Sequence, residues 1–97
     1  VTTYTFKTKI WLYPGMAAWH FAYVPKKESG IIREKHRRVA RGWGSIPVTA
    51  QIGKTAWKTS IFPDKKSGQY LLPLKLEIRK KEEIGDGDAI KLSLFFV

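Results

Sequence analysis

The sequence predicts a mainly β protein: a small antiparallel β-barrel, closed or nearly so, with pseudo-two-fold halves and two short helices. Three observations lead there. Apolar and polar residues alternate with period two along most of the chain, the mark of strands with one buried face. Two stretches break that alternation, each just after a strand that ends at a proline, Pro25 and Pro73. These prolines lie 48 residues apart, about half the chain, so that strand, proline and helix read as one unit used twice.

The elements follow in order. Residues 4–13 place Tyr4, Phe6, Thr8, Ile10 and Leu12 on one face and Thr5, Lys7, Lys9 and Trp11 on the other. Pro14-Gly15 is a turn, since Pro presets φ and Gly accepts φ > 0. The run Ala17 to Val24 pairs back, with Trp19, Phe21 and Tyr23 sharing a face. Lys26 to Val39 is polar and helix-compatible, with Ser29 as N-cap and Ile31, Ile32 and Lys35 as a short inward stripe. Pro25 suits its start, because the N–H it lacks would be unpaired there. Ile46, Val48, Ala50 and Ile52 then alternate with Pro47, Thr49 and Gln51, and Gly53-Lys54 reads as a two-residue hairpin turn. Trp57, Thr59 and Ile61 alternate with Lys58, Ser60 and Phe62 in the return strand. Leu74 to Glu83 repeats the helical arrangement, with Leu74 and Ile78 four apart. Gly85-Asp86-Gly87-Asp88 turns the chain into a last strand with Ile90, Leu92, Leu94 and Phe96 inward.

Composition narrows the chemistry. Ninety-seven residues form one domain, 1–97, and 43% hydrophobic residues are ample for a core. No apolar run approaches the roughly 20 residues that span a bilayer, and no secretory leader is visible. With no Cys, disulfides, thiolate metal sites and cysteine nucleophiles are excluded together. Two His and eight acidic residues leave little material for metal or acid–base work, so no cofactor is expected. Against them stand 18 Lys and Arg, a net charge of +10. The expectation is a cytoplasmic monomer with an anionic partner and no membrane association.

The second unit, Tyr70-Leu71-Leu72-Pro73 through Ile78-Arg79 to Gly87-Asp88 and Leu92, resembles the swapped-hairpin motif of AbrB- and MazE-type DNA-binding regulators. The chain as a whole resembles the bacterial domain-of-unknown-function 1905 family. The residues that carry this are Trp19-His20-Phe21 with Pro25, Gly42-Trp43-Gly44-Ser45-Ile46-Pro47-Val48, Ile52-Gly53, Trp57-Lys58-Thr59-Ser60-Ile61-Phe62-Pro63, Tyr70-Leu71-Leu72-Pro73 with Lys75, and Gly87-Asp88. The resemblance implies a double-split β-barrel built from one chain, and no established biochemistry. The turn Gly85-Asp86-Gly87-Asp88 is more acidic than the plain Gly-Asp of those regulators. Activity must be argued from the site, because a fold does not fix it.

Two groups of residues stand out. Residues 26–41 hold seven basic and two acidic residues, and Lys35, Arg37, Arg38 and Arg41 fall close to Trp43. Cations interleaved with an aromatic suit a phosphate backbone and a stacking platform; a solvated helix face accounts for the same pattern. Engagement of four to six phosphates would give a log–log salt slope of about −3 to −5. The second group is a possible anion pocket of Lys58, Ser60, Trp57, Tyr70, Lys75 and Arg79, with Trp43 beside it. Its alternative is that Trp57 and Trp43 simply fill the barrel. His20 reads as a packed or hydrogen-bonded residue and His36 as a solvated one, while Asp86 and Asp88 read as turn formers, since the further oxygen ligands of a calcium loop are missing. Glu82 and Glu83 point about 100° apart on a helix and make a poor acid–base pair.

The expected function is a non-enzymatic binding module for an anionic partner, DNA or RNA first. The alternatives are a small anionic-ligand binder or enzyme using the Lys/Arg pocket walled by Trp and Tyr, and an adaptor for acidic proteins.

Overall fold

A computed structural model describes residues 2–15, 19–40 and 42–96. In chain order the elements are β1 (Thr2–Leu12), β2 (His20–Tyr23), α1 (Lys26–His36), β3 (Ile46–Ile52), β4 (Thr55–Asp64), β5 (Gln69–Pro73), α2 (Leu76–Glu82) and β6 (Ala89–Phe96). Short 3₁₀ turns at Arg37–Val39 and Gly42–Gly44 join α1 to β3. The six strands close into an antiparallel barrel in the order β1-β2-β5-β4-β3-β6. Exchanging the first three strands with the last three (β1 with β4, β2 with β5, β3 with β6) maps this ring onto itself.

The predicted alternation is realised strand by strand. Phe6 and Ile10 of β1, Ile46, Val48, Ala50 and Ile52 of β3, and all four predicted inward residues of β6 are buried in one core. Each fully buried Ile, Leu or Phe contributes on the order of 1.5–3 kcal/mol. Gly53 takes φ +56° at the tip of the β3–β4 hairpin, where the two-residue turn was expected. Leu12 departs from its face-mates: at the end of β1 it passes the rim of the barrel and is exposed.

The duplication holds, but in a different register from the one the prolines suggest. Pro25 precedes α1 as its N-cap, whereas Pro73 is a strand residue paired with Phe21, and Lys75 occupies the N-cap of α2. The helices therefore start 50 residues apart, at Lys26 and Leu76, rather than 48. Hydrogen bonds repeat at that spacing. The Val24 N–H donates to the Tyr70 carbonyl and the Leu74 N–H to the His20 carbonyl, at 2.8 and 2.9 Å. The Ser29 N–H donates to the Pro25 carbonyl and the Arg79 N–H to the Lys75 carbonyl. The side chains of Ser29 and Arg79 likewise each donate to a carbonyl five residues earlier, Val24 and Leu74.

Three local expectations are corrected. The 14-residue helix expected at Lys26–Val39 ends at His36 and tightens into a 3₁₀ turn. Lys35 is exposed, so the buried face of α1 is Ser29 and Ile32. Ser29 is not an N-cap. It lies a turn inside α1, fully buried, where its hydroxyl donates to the Val24 carbonyl and accepts the Tyr70 N–H at 3.0 Å. It thus splices a side chain into the β2–β5 ladder.

His36 is partly buried rather than solvated. Its ring stacks on Phe96 at 4.2 Å between centroids and lies 3.2 Å from the Tyr4 hydroxyl, which ties the end of α1 to β1 and β6. Burial, helped by the Lys35 charge, holds its pKa below the usual 6.5. The neutral ring is therefore the form that the fold prefers, although a helix C-terminus by itself favours the cation.

Two predictions follow from this packing. Ser29→Ala leaves the buried Tyr70 N–H without its acceptor and is expected to lower stability by about 1–3 kcal/mol in thermal or urea denaturation. The unfolded chain binds a proton at His36 more readily than the native one, so this contribution is complete above pH 6.5 and is lost as pH falls through the lower native value. Thermal melts between about pH 7.5 and 5 should show stability falling on acidification, and His36→Phe should flatten that dependence in this window.

Candidate functional site

The connection from α1 to β3 carries the first predicted group. Lys35, Arg37 and Arg38 are all exposed at the end of α1 and in the 3₁₀ turn that follows it. Arg41 lies outside the described residues. Trp43 is 96% exposed, and its backbone sits at φ 66°, a left-handed conformation that costs a non-glycine residue on the order of 1–2 kcal/mol. Two glycines frame it, and Gly44 (φ 77°) packs so closely on Pro63 of β4 that a Cβ there would stand 3.0 Å from the proline ring. The turn is therefore anchored while its Trp projects into solvent.

Residues outside the two predicted groups tie α1 to the neighbouring strands. Arg33 donates to the Gly68 carbonyl at 2.6 Å and lies over the Tyr70 ring, 5.6 Å from its centroid. These contacts fasten α1 to the β4–β5 turn, whose exposed Lys65 and Lys66 follow shortly after Pro63. Asp64 in that turn accepts hydrogen bonds from Ser67 and Tyr23, chiefly the first of which holds its carboxyl below the ordinary range. Its charge is thereby committed to the turn. The ion pair formed among the described residues, Lys81 with Glu77 at 3.8 Å, lies on α2.

The second predicted group does not converge. Strand parity separates it: Trp57 and Tyr70 turn inward, whereas Lys58 and Ser60 lie on the opposite face of β4. Tyr70 is 4% exposed and part of the core, with its pKa raised mainly by burial. Lys58 borders a shallow depression of about 170 Å³ formed with Pro47, Thr49 and Phe95. Lys75 and Arg79 do meet, in a larger cavity of about 450 Å³ lined by Trp19, His20 of β2, Pro73 of β5, and Leu74 and Leu76. Trp43 belongs to neither. Of the six residues expected in one pocket, Trp57 and Tyr70 thus pack in or against the core, Lys58 borders the depression, Lys75 and Arg79 line the cavity, and Ser60 lines neither.

Beside that cavity, the outer face of β1–β2 carries a cluster of five aromatic rings. Trp11 stacks on Tyr23 at 5.3 Å and 12°, and Phe21 contacts Trp11, Tyr13 and Trp19 at 5.4–5.7 Å. The β1–β2 register places Trp11 opposite Phe21, so faces read separately along the sequence become one surface. Alternation indicated each face; only the pairing joins them.

The remaining candidates resolve as structural. Asp86 accepts the Leu12 N–H and Asp88 the Gly85 N–H, the turn chemistry expected of them. Glu82 accepts a hydrogen bond from Thr55 at 2.6 Å and Glu83 caps α2 with a left-handed backbone. Among the described residues no cluster of His, Asp and Glu is arranged to hold a metal ion, and no helix is long and apolar enough to cross a membrane. No curated protein matches the sequence. A family model does, over residues 6–94, a span that takes in β2 through β5, both helices and most of β1 and β6. The chain therefore belongs to the family described as domain of unknown function (DUF1905).

Proposed function

We propose that this domain is a non-enzymatic binding module for an anionic partner, namely single-stranded nucleic acid. Trp43 is its stacking platform, and Lys35, Arg37 and Arg38 are its phosphate contacts. The observation that carries this reading is Trp43 itself, almost wholly exposed and held at positive φ. A large aromatic ring gains nothing from burial in such a place, and the backbone strain is a cost without a structural return. Base stacking supplies a return, because every base offers a π face to an isolated ring. An unstacked base reaches a ring at the tip of a turn more readily than one inside a duplex.

Electrostatics supports the same class of partner. The net charge of +10 steers polyanions toward the surface, and the arginines present planar forks suited to phosphate oxygens. The resemblance of the second half to swapped-hairpin DNA-binding regulators adds weight to nucleic acid over an acidic protein. Those regulators present a surface built from two chains, whereas here one chain closes the barrel, which supports a domain that binds as a monomer.

Fluorescence anisotropy with labelled single-stranded RNA, single-stranded DNA and duplex DNA at several salt concentrations tests the proposal. Trp43→Gly is expected to weaken single-strand binding by about 1–3 kcal/mol while leaving stability unchanged or up to about 1 kcal/mol higher. Arg37→Gln with Arg38→Gln should reduce the salt slope by about 1.4. Absence of binding at about 50 mM salt, where phosphate contacts are strong, overturns the reading.

A further inference from the structure

The internal duplication gives the β2–β5 ladder two related ends, and they are filled differently. At one end Tyr70 points inward and is buried at 4% exposure, with the Arg33 guanidinium over its ring. The equivalent position at the other end, 50 residues earlier, is His20. It shares the inward face with the fully buried Ala22 but has a smaller ring and is only partly buried. The helix position facing each end differs as well: the small, fully buried Ser29 at the first end becomes Arg79 at the second. The first end is plugged. The second is the cavity of about 450 Å³, within the usual range for small-ligand sites.

Its walls are unlike those of a polar cleft. Trp19, 50% exposed, and Leu76, 54% exposed, stand at its edge, and Pro73 and Leu74 add further apolar surface. Among the described residues, Lys75 and Arg79 are the charged ones lining it. The acids of α2 are turned to other partners, Glu77 to Lys81 and Glu82 to Thr55. The Arg79 Nε–H donates to the Leu74 carbonyl at 3.1 Å, which sets the direction of the guanidinium. Among the described residues, no Asp, Asn, Gln or Glu lines the cavity to read the edge of a nucleobase. A flat apolar body with one negative charge matches this lining.

We propose that this cavity binds a small aromatic carboxylate, its ring against Trp19 and Leu76 and its charge toward Lys75 and Arg79. The inference is independent of the nucleic-acid surface, since the two share no residue.

Naphthalene-2-carboxylate is a suitable probe, with naphthalene-2-carboxamide as its neutral counterpart, titrated by calorimetry and by amide NMR of the whole domain. The expected result is saturable binding of the carboxylate with shifts at Trp19, Lys75 and Leu76, and at least about tenfold weaker binding of the carboxamide. Lys75→Gln and Leu76→Glu, both at exposed positions and checked for folding by their NMR spectra, should each weaken the carboxylate at least about fivefold. Trp43→Gly should leave its affinity unchanged. Equal affinity for acid and amide overturns the proposal, as do shifts that map away from Trp19 and Leu76, or affinity untouched by both cavity variants. Tighter binding of adenosine monophosphate to the same residues would overturn it too, by assigning the cavity to nucleotides.

Discussion

The closed barrel depends on its β2–β5 seam. Three positions are paired there, Phe21 with Pro73, Ala22 with Leu72 and Tyr23 with Leu71, and Pro73 brings no N–H to donate. Left at that, the ring would close along a seam too short to be stable, and β2 and β5 would each present an open strand edge. Backbone bonds from Val24 to Tyr70 and from Leu74 to His20 extend the seam at both ends, and the Ser29 hydroxyl bridges the Tyr70 N–H and the Val24 carbonyl. The helices begin where they do because their first turns must deliver Ser29 and Arg79 to the carbonyls of Val24 and Leu74. Both helices are thus parts of the seam as much as covers for the core.

A duplicated architecture with unequal contents is a simple way to obtain a cavity. Two equivalent ends impose the same backbone, so the difference between them lies in which side chains stand there and how deeply each is buried. Tyr70 and Ser29 complete one end as core, while His20 and Arg79 leave the other accessible. The aromatic cluster on β1–β2 runs up to this open end through the Trp19–Phe21 contact, so that end is bordered by rigid rings. Rigid walls preserve an opening that flexible side chains would collapse into.

The charge distribution has a cost that the fold accepts. Lys7 and Lys91 stand directly opposite each other on β1 and β6, an arrangement that is mildly destabilising. The carboxylates of Asp64, Asp86, Asp88 and Glu82 serve turns and hairpins rather than neutralising cations. Positive potential therefore persists around the α1–β3 connection and the β4–β5 turn, on a core whose stability comes from apolar burial. Trp43 lies within that field, on a turn held by Gly44 against Pro63.

By itself the amino-acid sequence determined the strands, the hairpin at Gly53-Lys54, the existence of both helices, the duplication and the excess of positive charge. These follow from period-two alternation, turn residues and composition, which are local or additive properties. The prolines gave the repeat a spacing of 48, because a proline marks a chain break without saying whether it ends a strand or caps a helix; only the pairing of Pro73 with Phe21 decides that. Whether Trp43 was buried or exposed, whether Ser29 was a cap or a bridge, and which of Lys58, Tyr70, Lys75 and Arg79 would meet were likewise decided by tertiary structure. Each depends on the face and the neighbours a side chain acquires across strands distant in the chain, and that information arises only when the ring closes.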